Sequence, residues 1–211
     1  MKRKEKFVIT VNREVGTGGR TVGRKLAEKL CVKYCDKAVI DGLTQKFGLT
    51  PERIEEIKAQ KKSGWNDINI YYQTLVNSAS QPMEAEAKLD TATMFETEKR
   101  ILQELAAQSS CVVAGRTGFM VFREWPNHLN IFIQASMEHR IKRIMRRQNV
   151  SEQEARSIIA KMDATREAYI KKYEDTSRYD TRNYDLVINM DGLTEDDAVE
   201  IIMCYIEHTD K

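Results

Sequence analysis

Four short stretches of the chain are apolar almost without interruption: FVITV at 7–11, CVVA at 111–114, LNIFI at 129–133 and DLVIN at 185–189. A strand with one wet face alternates, whereas a continuous run reads as a strand covered on both faces. VKYCD at 32–36 is a weaker fifth run. Elsewhere the apolar positions recur with a helical period. Residues 20–31 place Val22, Leu26 and Leu30 at fourfold spacing, and 97–108 place Ile101, Leu102, Leu105 and Ala106 on one stripe. Ser151 with Glu154 fits a capping box, opening a long helix with the stripe Ala155, Ile158, Met162, Tyr169 and Tyr173. Thr194 can cap a final helix carrying Ala198, Ile201, Ile202 and Tyr205. Strands alternating with helices predict an α/β fold with a parallel five-stranded sheet flanked by helices.

Residues 50–92 break this rhythm with Lys-rich and Ser/Gln/Asn-rich stretches around Trp65, Tyr71, Tyr72 and Leu75. They are expected to form helices weakly attached to the main core. With 211 residues, 41% of them apolar, and three prolines, the chain is expected to be one domain over 1–211. Lys and Arg number 34 against 32 Asp and Glu, a net charge of +2, which argues against a strong basic field for nucleic acid. The apolar run after MKRKEK is too short for a signal-peptide core, and no run approaches a membrane span, so a cytoplasmic location is expected. The spacing of Cys31, Cys35, Cys111 and Cys204 suggests no zinc site, and buried free thiols are expected.

The chemistry concentrates where the first strand ends. TVNREVGTGGRTVGRKLAEKL at 10–30 runs from a strand into Gly16, Gly18 and Gly19 and then into a helical pattern. Such a turn aims unpaired backbone N–H groups and the positive end of a helix dipole at one place, which suits a phosphate. The lysine of G-x-x-x-x-G-K-[ST] is missing, because Arg20 follows Gly19. Arg13, Gly16, Thr17, Gly18, Gly19, Arg20 and Thr21 are the candidate donor-binding residues, with Arg20 as a bidentate clamp and Thr21 as a Mg²⁺ ligand. Gly23 would let the helix lie close to the sheet.

ITVNREVGTGGRTVGRKLAEKL resembles the opening of the cytidylate kinase-like family, a branch of the P-loop nucleoside monophosphate kinases whose loop has the form R-E-x-G-x-G-G-R without the lysine. YCDKAVIDGL at 34–43, the segment 112–147, KMDATREAYIKKY at 161–173 and NYDLVINMDGL at 183–193 continue the resemblance in order. It implies a P-loop fold with a helical acceptor-binding insertion at about 50–92 and a lid at about 140–155. It also implies ATP and Mg²⁺ as cofactors and a nucleoside monophosphate or related phosphorylated metabolite as acceptor, CMP first. By the same resemblance Asp36, Arg116, Asp163 and Arg166 are acceptor-site residues, although Thr117 stands where those kinases carry Asp. Arg143, Arg146 and Arg147 are lid candidates that act with Arg20 on the transferring group, and Arg140, earliest in its helix, is read as structural. Two other classes compete: a nucleotide-binding regulatory protein that has lost kinase activity, and a nucleic-acid-associated protein using the arginines at 140–147. The expected partners are a nucleotide donor and a small phosphorylated acceptor, with no membrane and no nucleic acid; residues 50–92 are also the candidate homodimer contact.

Overall fold

The computed structural model describes residues 1–36, 91–115 and 117–210. The element order is β1 (Val8–Arg13), α1 (Gly19–Lys29), β2 (Lys33–Tyr34), α2 (Thr91–Gln108), β3 (Cys111–Ala114), the short α3 (Gly118–Val121), β4 (His128–Gln134), α4 (Met137–Gln148), α5 (Glu152–Tyr173), β5 (Leu186–Asn189) and α6 (Glu195–Thr209). A single 3-10 turn, Thr181–Asn183, precedes β5. All strand pairs are parallel, in the order β2-β3-β1-β4-β5. Every expected strand is present, and the weak run contributes the two-residue β2 at the edge. The expectations for Trp65, Tyr71, Tyr72 and Leu75 lie outside the described residues.

The continuous apolar runs are explained by the two faces of the sheet. Ile9 and Val11 of β1 face α1 and α6, in a cluster with Val22, Leu26 and Ile202. Val8 faces the other way, with Val113, Leu102 and Phe122. Covered on both sides, β1 has no wet position and so no alternation. α1 lies close to the sheet at Gly23, where a Cβ would stand 3.3 Å from the Tyr34 ring and at an ordinary contact of 3.6 Å from Ala114 Cβ.

Both capping boxes form. Ser151 accepts from the Glu154 N–H and Thr194 from the Asp197 N–H, and each acid reaches back to the cap backbone. The stripe of α5 needs correction. Its buried positions are Ala155, Ile159, Asp163 and Ile170, while Met162 is exposed. A charged residue occupies the inward face, so hydrophobicity alone shifts the stripe by one residue. On α6, Ile202 is buried and Ile201 exposed. Of the cysteines, Cys35 and Cys111 are buried but Cys31 and Cys204 are exposed, which corrects the expectation for those two.

The helices α4 and α5 form a hairpin over the carboxyl edge of β1. Asn149 closes α4 in the left-handed conformation, and Ser151 opens α5 two residues later. Val15, just past β1, packs into the hairpin with Ile141, Ile144, Ala155 and Ile159. This contact brings the helical arginines to the glycine turn.

Candidate active site

The glycines of the turn are required by backbone rather than by composition. Gly16 has φ of +88°, and a Cβ there would meet the Arg140 carbonyl oxygen at 2.8 Å, backbone of α4 that cannot yield. Gly18, at φ +86°, is the N-cap of α1 and offers no side-chain cap. The turn is tied internally by Thr17, whose hydroxyl donates to the Glu14 carbonyl at 3.0 Å and accepts from the Gly19 N–H at 3.4 Å. Among the described residues no hydrogen bond takes up the N–H groups of Gly16, Thr17, Gly18 or Arg20. Free amides at the start of an 11-residue helix form a receptive place for an anion.

The arginines near this place divide by their partners. Arg13 ends β1 and is buried; a Cβ on Gly19 would lie 2.7 Å from its Cβ, and its guanidinium lies against Gly115 at the end of β3. Arg143 reaches the turn from α4, its Cζ 3.1 Å from where a Cβ on Gly18 would stand, and pairs with Glu195 at 2.6 Å. Burial raises the Glu195 carboxyl, but its own backbone N–H and the Arg143 charge outweigh that and hold it below its ordinary value. Arg20 extends from the first turn of α1 to Asp36, with Nε 2.9 Å from Oδ2 and a side chain 63% exposed. The Tyr34 hydroxyl, pushed up to about 12 by burial and then by Asp36, stays protonated and donates to the Arg20 carbonyl. Arg146 and Arg147 are exposed in the last turn of α4. Arg116 lies outside the described residues.

Beneath the turn lies a buried ionic assembly. Asp163 Oδ1 accepts from the Val15 N–H at 3.1 Å, and Oδ2 pairs with Arg140. Arg140 is buried, pairs with Glu14 at 3.2 Å and donates from Nε to the Val15 carbonyl at 2.7 Å. Its partners are structural, in line with the reading of its sequence position. Asp163 is equally committed to the base of the turn, and Arg166 Nη1 lies 3.5 Å from the Arg13 carbonyl. The structure thus brings Asp163 and Arg166 to the start of the turn, and Asp36 to Arg20.

Sequence reasoning missed Glu14, Glu195 and Arg178. Glu14 sits inside the motif, but its position there does not show that it pairs with Arg140. Arg178 lies in the polar stretch EDTSRYDTRN, where no periodicity marks one arginine above another. Among the described residues no three His, Cys, Asp or Glu side chains come together as a metal cluster. The hydroxyls nearby are those of Thr17, which is held by the Glu14 carbonyl and the Gly19 N–H, and of the half-exposed Thr21 in the first turn of α1. That donor set suits Mg²⁺ carried by nucleotide phosphates and water, which needs only one or two protein oxygens.

The sequence profile of the cytidylate kinase-like family matches residues 8–192. A cytidylate kinase of Sulfolobus acidocaldarius is 26% identical over 198 residues, covering 94% of this chain and 93% of that protein. One of Pyrococcus horikoshii is 25% identical over 209 residues, covering 98% and 92%. In three dimensions the chain is similar to an uncharacterized protein of Eubacterium ventriosum, with a TM-score of 0.67, 23% identity, and coverage of 95% and 98%. It also shares its fold with a shikimate kinase of Bacteroides thetaiotaomicron, at a TM-score of 0.52, 14% identity, and the same coverage. Among the described residues no helix is long and apolar enough to cross a membrane.

Proposed function

Starting from the fact that the chain belongs to the cytidylate kinase-like family, we propose that it transfers a phosphoryl group from ATP to a nucleoside monophosphate, with CMP as the first candidate. The observation that carries this reading is the glycine turn contacted by two arginines, the side-chain stem of Arg13 at Gly19 and the Arg143 guanidinium at Gly18. Phosphoryl transfer asks a protein to hold two charged groups in line and to stabilise spread negative charge, and fixed cations around free amides supply both.

In this reading the free amides of Gly16, Thr17, Gly18 and Arg20 and the Arg13 guanidinium bind the donor phosphates, and the Arg20 side chain ties the start of α1 to Asp36. Mg²⁺, when bound, neutralises phosphate charge, with Thr21 as its protein ligand. Arg143 contacts the transferring group, and Arg146 and Arg147 supply further positive charge from the end of the hairpin. Arg116 and Arg166 hold the acceptor phosphate, and Asp163 acts through the turn that it anchors. The acceptor phosphate is itself the nucleophile, so no side chain has to remove a proton from it.

The test is a phosphotransfer screen of the purified protein with ATP, Mg²⁺ and a panel of nucleoside monophosphates and sugar phosphates, with products separated by chromatography. A new diphosphate from one acceptor supports the kinase and names its substrate. ATP binding without turnover would replace it with the regulatory protein.

The Arg143–Glu195 pair yields a prediction of unusual sign. A phosphate approaching Gly18 must draw Arg143 from Glu195 and tolerate that carboxylate nearby. Glu195→Gln keeps the shape and removes the charge, so it should tighten ATP binding about two- to fivefold, the size of a partly exposed charge pair. Isothermal titration calorimetry reads this directly. Weaker binding would show that Glu195 positions Arg143 for the nucleotide instead.

A further inference from the structure

Arg178 is 1% exposed and, among the described residues, stands first among the largest fully buried side chains. It comes from the irregular segment between α5 and β5, yet its guanidinium ends at the point where β1 becomes the glycine turn. We infer that Arg178 is a positioning residue that holds the base of the turn, and with it the backbone of Arg13, in the geometry a phosphate meets.

The strand pairing explains why a side chain is needed there. The β1–β3 ladder ends with Val11 opposite Ala114 and with the Gly115 N–H donating to the Val11 carbonyl at 2.9 Å. Two residues on, Arg13 directs its N–H and carbonyl to the same edge, where the strand neighbour has stopped. Side chains take its place. Asn12 Oδ1 accepts from the Arg13 N–H at 2.9 Å, and Arg178 Nη2 donates to the Arg13 carbonyl and lies 3.5 Å from Asn12 Oδ1.

Arg178 is itself held on several sides. Its N–H donates to Glu167 at 3.1 Å, and its carbonyl accepts from the Tyr184 hydroxyl at 2.8 Å. That hydroxyl accepts in turn from Asn12 Nδ2 at 2.7 Å, which closes a ring back to β1. Nη1 lies 3.9 Å from Asp163 Oδ1, the oxygen that accepts the Val15 N–H. Arg178 therefore touches both ends of the short segment from Arg13 to Val15, at one end directly and at the other through Asp163. Among the described residues Nε and Nη1 have no hydrogen-bond partner. A buried guanidinium so incompletely paired is a poor stabiliser of the fold at large, and its charge is better accounted for by the carbonyl it orients.

The consequence for catalysis rests on the kinase reading, but the test does not. Hydrogen–deuterium exchange of the nucleotide-free protein is measured over residues 12–19 in wild type, Arg178→Met, Arg178→Lys and Tyr184→Phe. Arg178→Met should speed exchange of the turn by about tenfold or more while α6 changes by less than about twofold, as expected of a local opening. Lysine should recover part of the protection, because one ammonium can still reach the Arg13 carbonyl. Tyr184→Phe, which leaves the guanidinium in place and keeps the ring packing, should give a smaller rise confined to the same peptide. Equal acceleration across the whole chain, or an unchanged turn in both Arg178→Met and Tyr184→Phe, overturns the inference. A wild-type protein in which ATP neither protects the turn nor is consumed would overturn the kinase reading and leave this result standing.

Discussion

Arg13→Met is expected to lower kcat/KM for phosphoryl transfer by about 100-fold or more, the loss typical of removing a fixed cation or donor from a site of developing charge. Arg20→Met is expected to cost about tenfold or less, as a charge that water and Asp36 already screen. The motif suggests the reverse ranking, since Arg20 occupies the place beside the last glycine where a lysine would be sought. The structure favours Arg13 because its side chain is buried between the start of α1 and the end of β3, whereas Arg20 is 63% exposed on its side chain and paired with Asp36. A buried guanidinium acts through a lower effective dielectric and is already ordered, so more of its charge reaches the phosphate. Steady-state kinetics on both variants, with melting curves to confirm folding, decides the ranking. A larger loss for Arg20→Met would return the donor role to the helix start.

Asp163→Ala is expected to destabilise the protein by about 3–5 kcal/mol, the usual cost of removing one partner from a buried ion pair. The same carboxylate accepts from Val15, pairs with Arg140 and lies 3.9 Å from Arg178, so its loss leaves a buried backbone donor short of an acceptor and two buried guanidinium groups short of a counter-charge. Asp163→Asn should fall between wild type and alanine, because the amide oxygen can still accept from Val15 but carries no charge for Arg140. Urea unfolding followed by fluorescence measures both. A midpoint unchanged in the alanine variant would mean that Glu14 alone satisfies Arg140, and that Asp163 is free to serve the acceptor as the family resemblance implies.

Much of the architecture was legible because its causes are local. A strand covered on both faces must be apolar throughout, and FVITV and CVVA announce themselves wherever they lie in the chain. Ser151 with Glu154 and Thr194 with Asp197 cap their helices through groups three residues apart. The stripe of α5 was misread at Met162 because a buried acid, Asp163, occupies a position that periodicity reserves for an apolar residue. That acid is tolerated only because Arg140 and Val15, from other elements, satisfy it.

The sequence by itself determined the parallel α/β order, the helix starts and a glycine turn at the end of the first strand, since each depends on neighbours within a few residues. Tertiary structure decided which partners each arginine meets. Arg13 and Arg20 look alike in the motif, and Arg140, Arg143 and Arg147 look alike on their helix. Their environments differ through partners far along the chain: Arg140 meets Asp163, 23 residues away, and the Arg13 carbonyl meets Arg178, 165 residues away. A long flexible cation has no local pattern that fixes its direction, so its role is set by the carboxylates and carbonyls that the completed fold brings within reach.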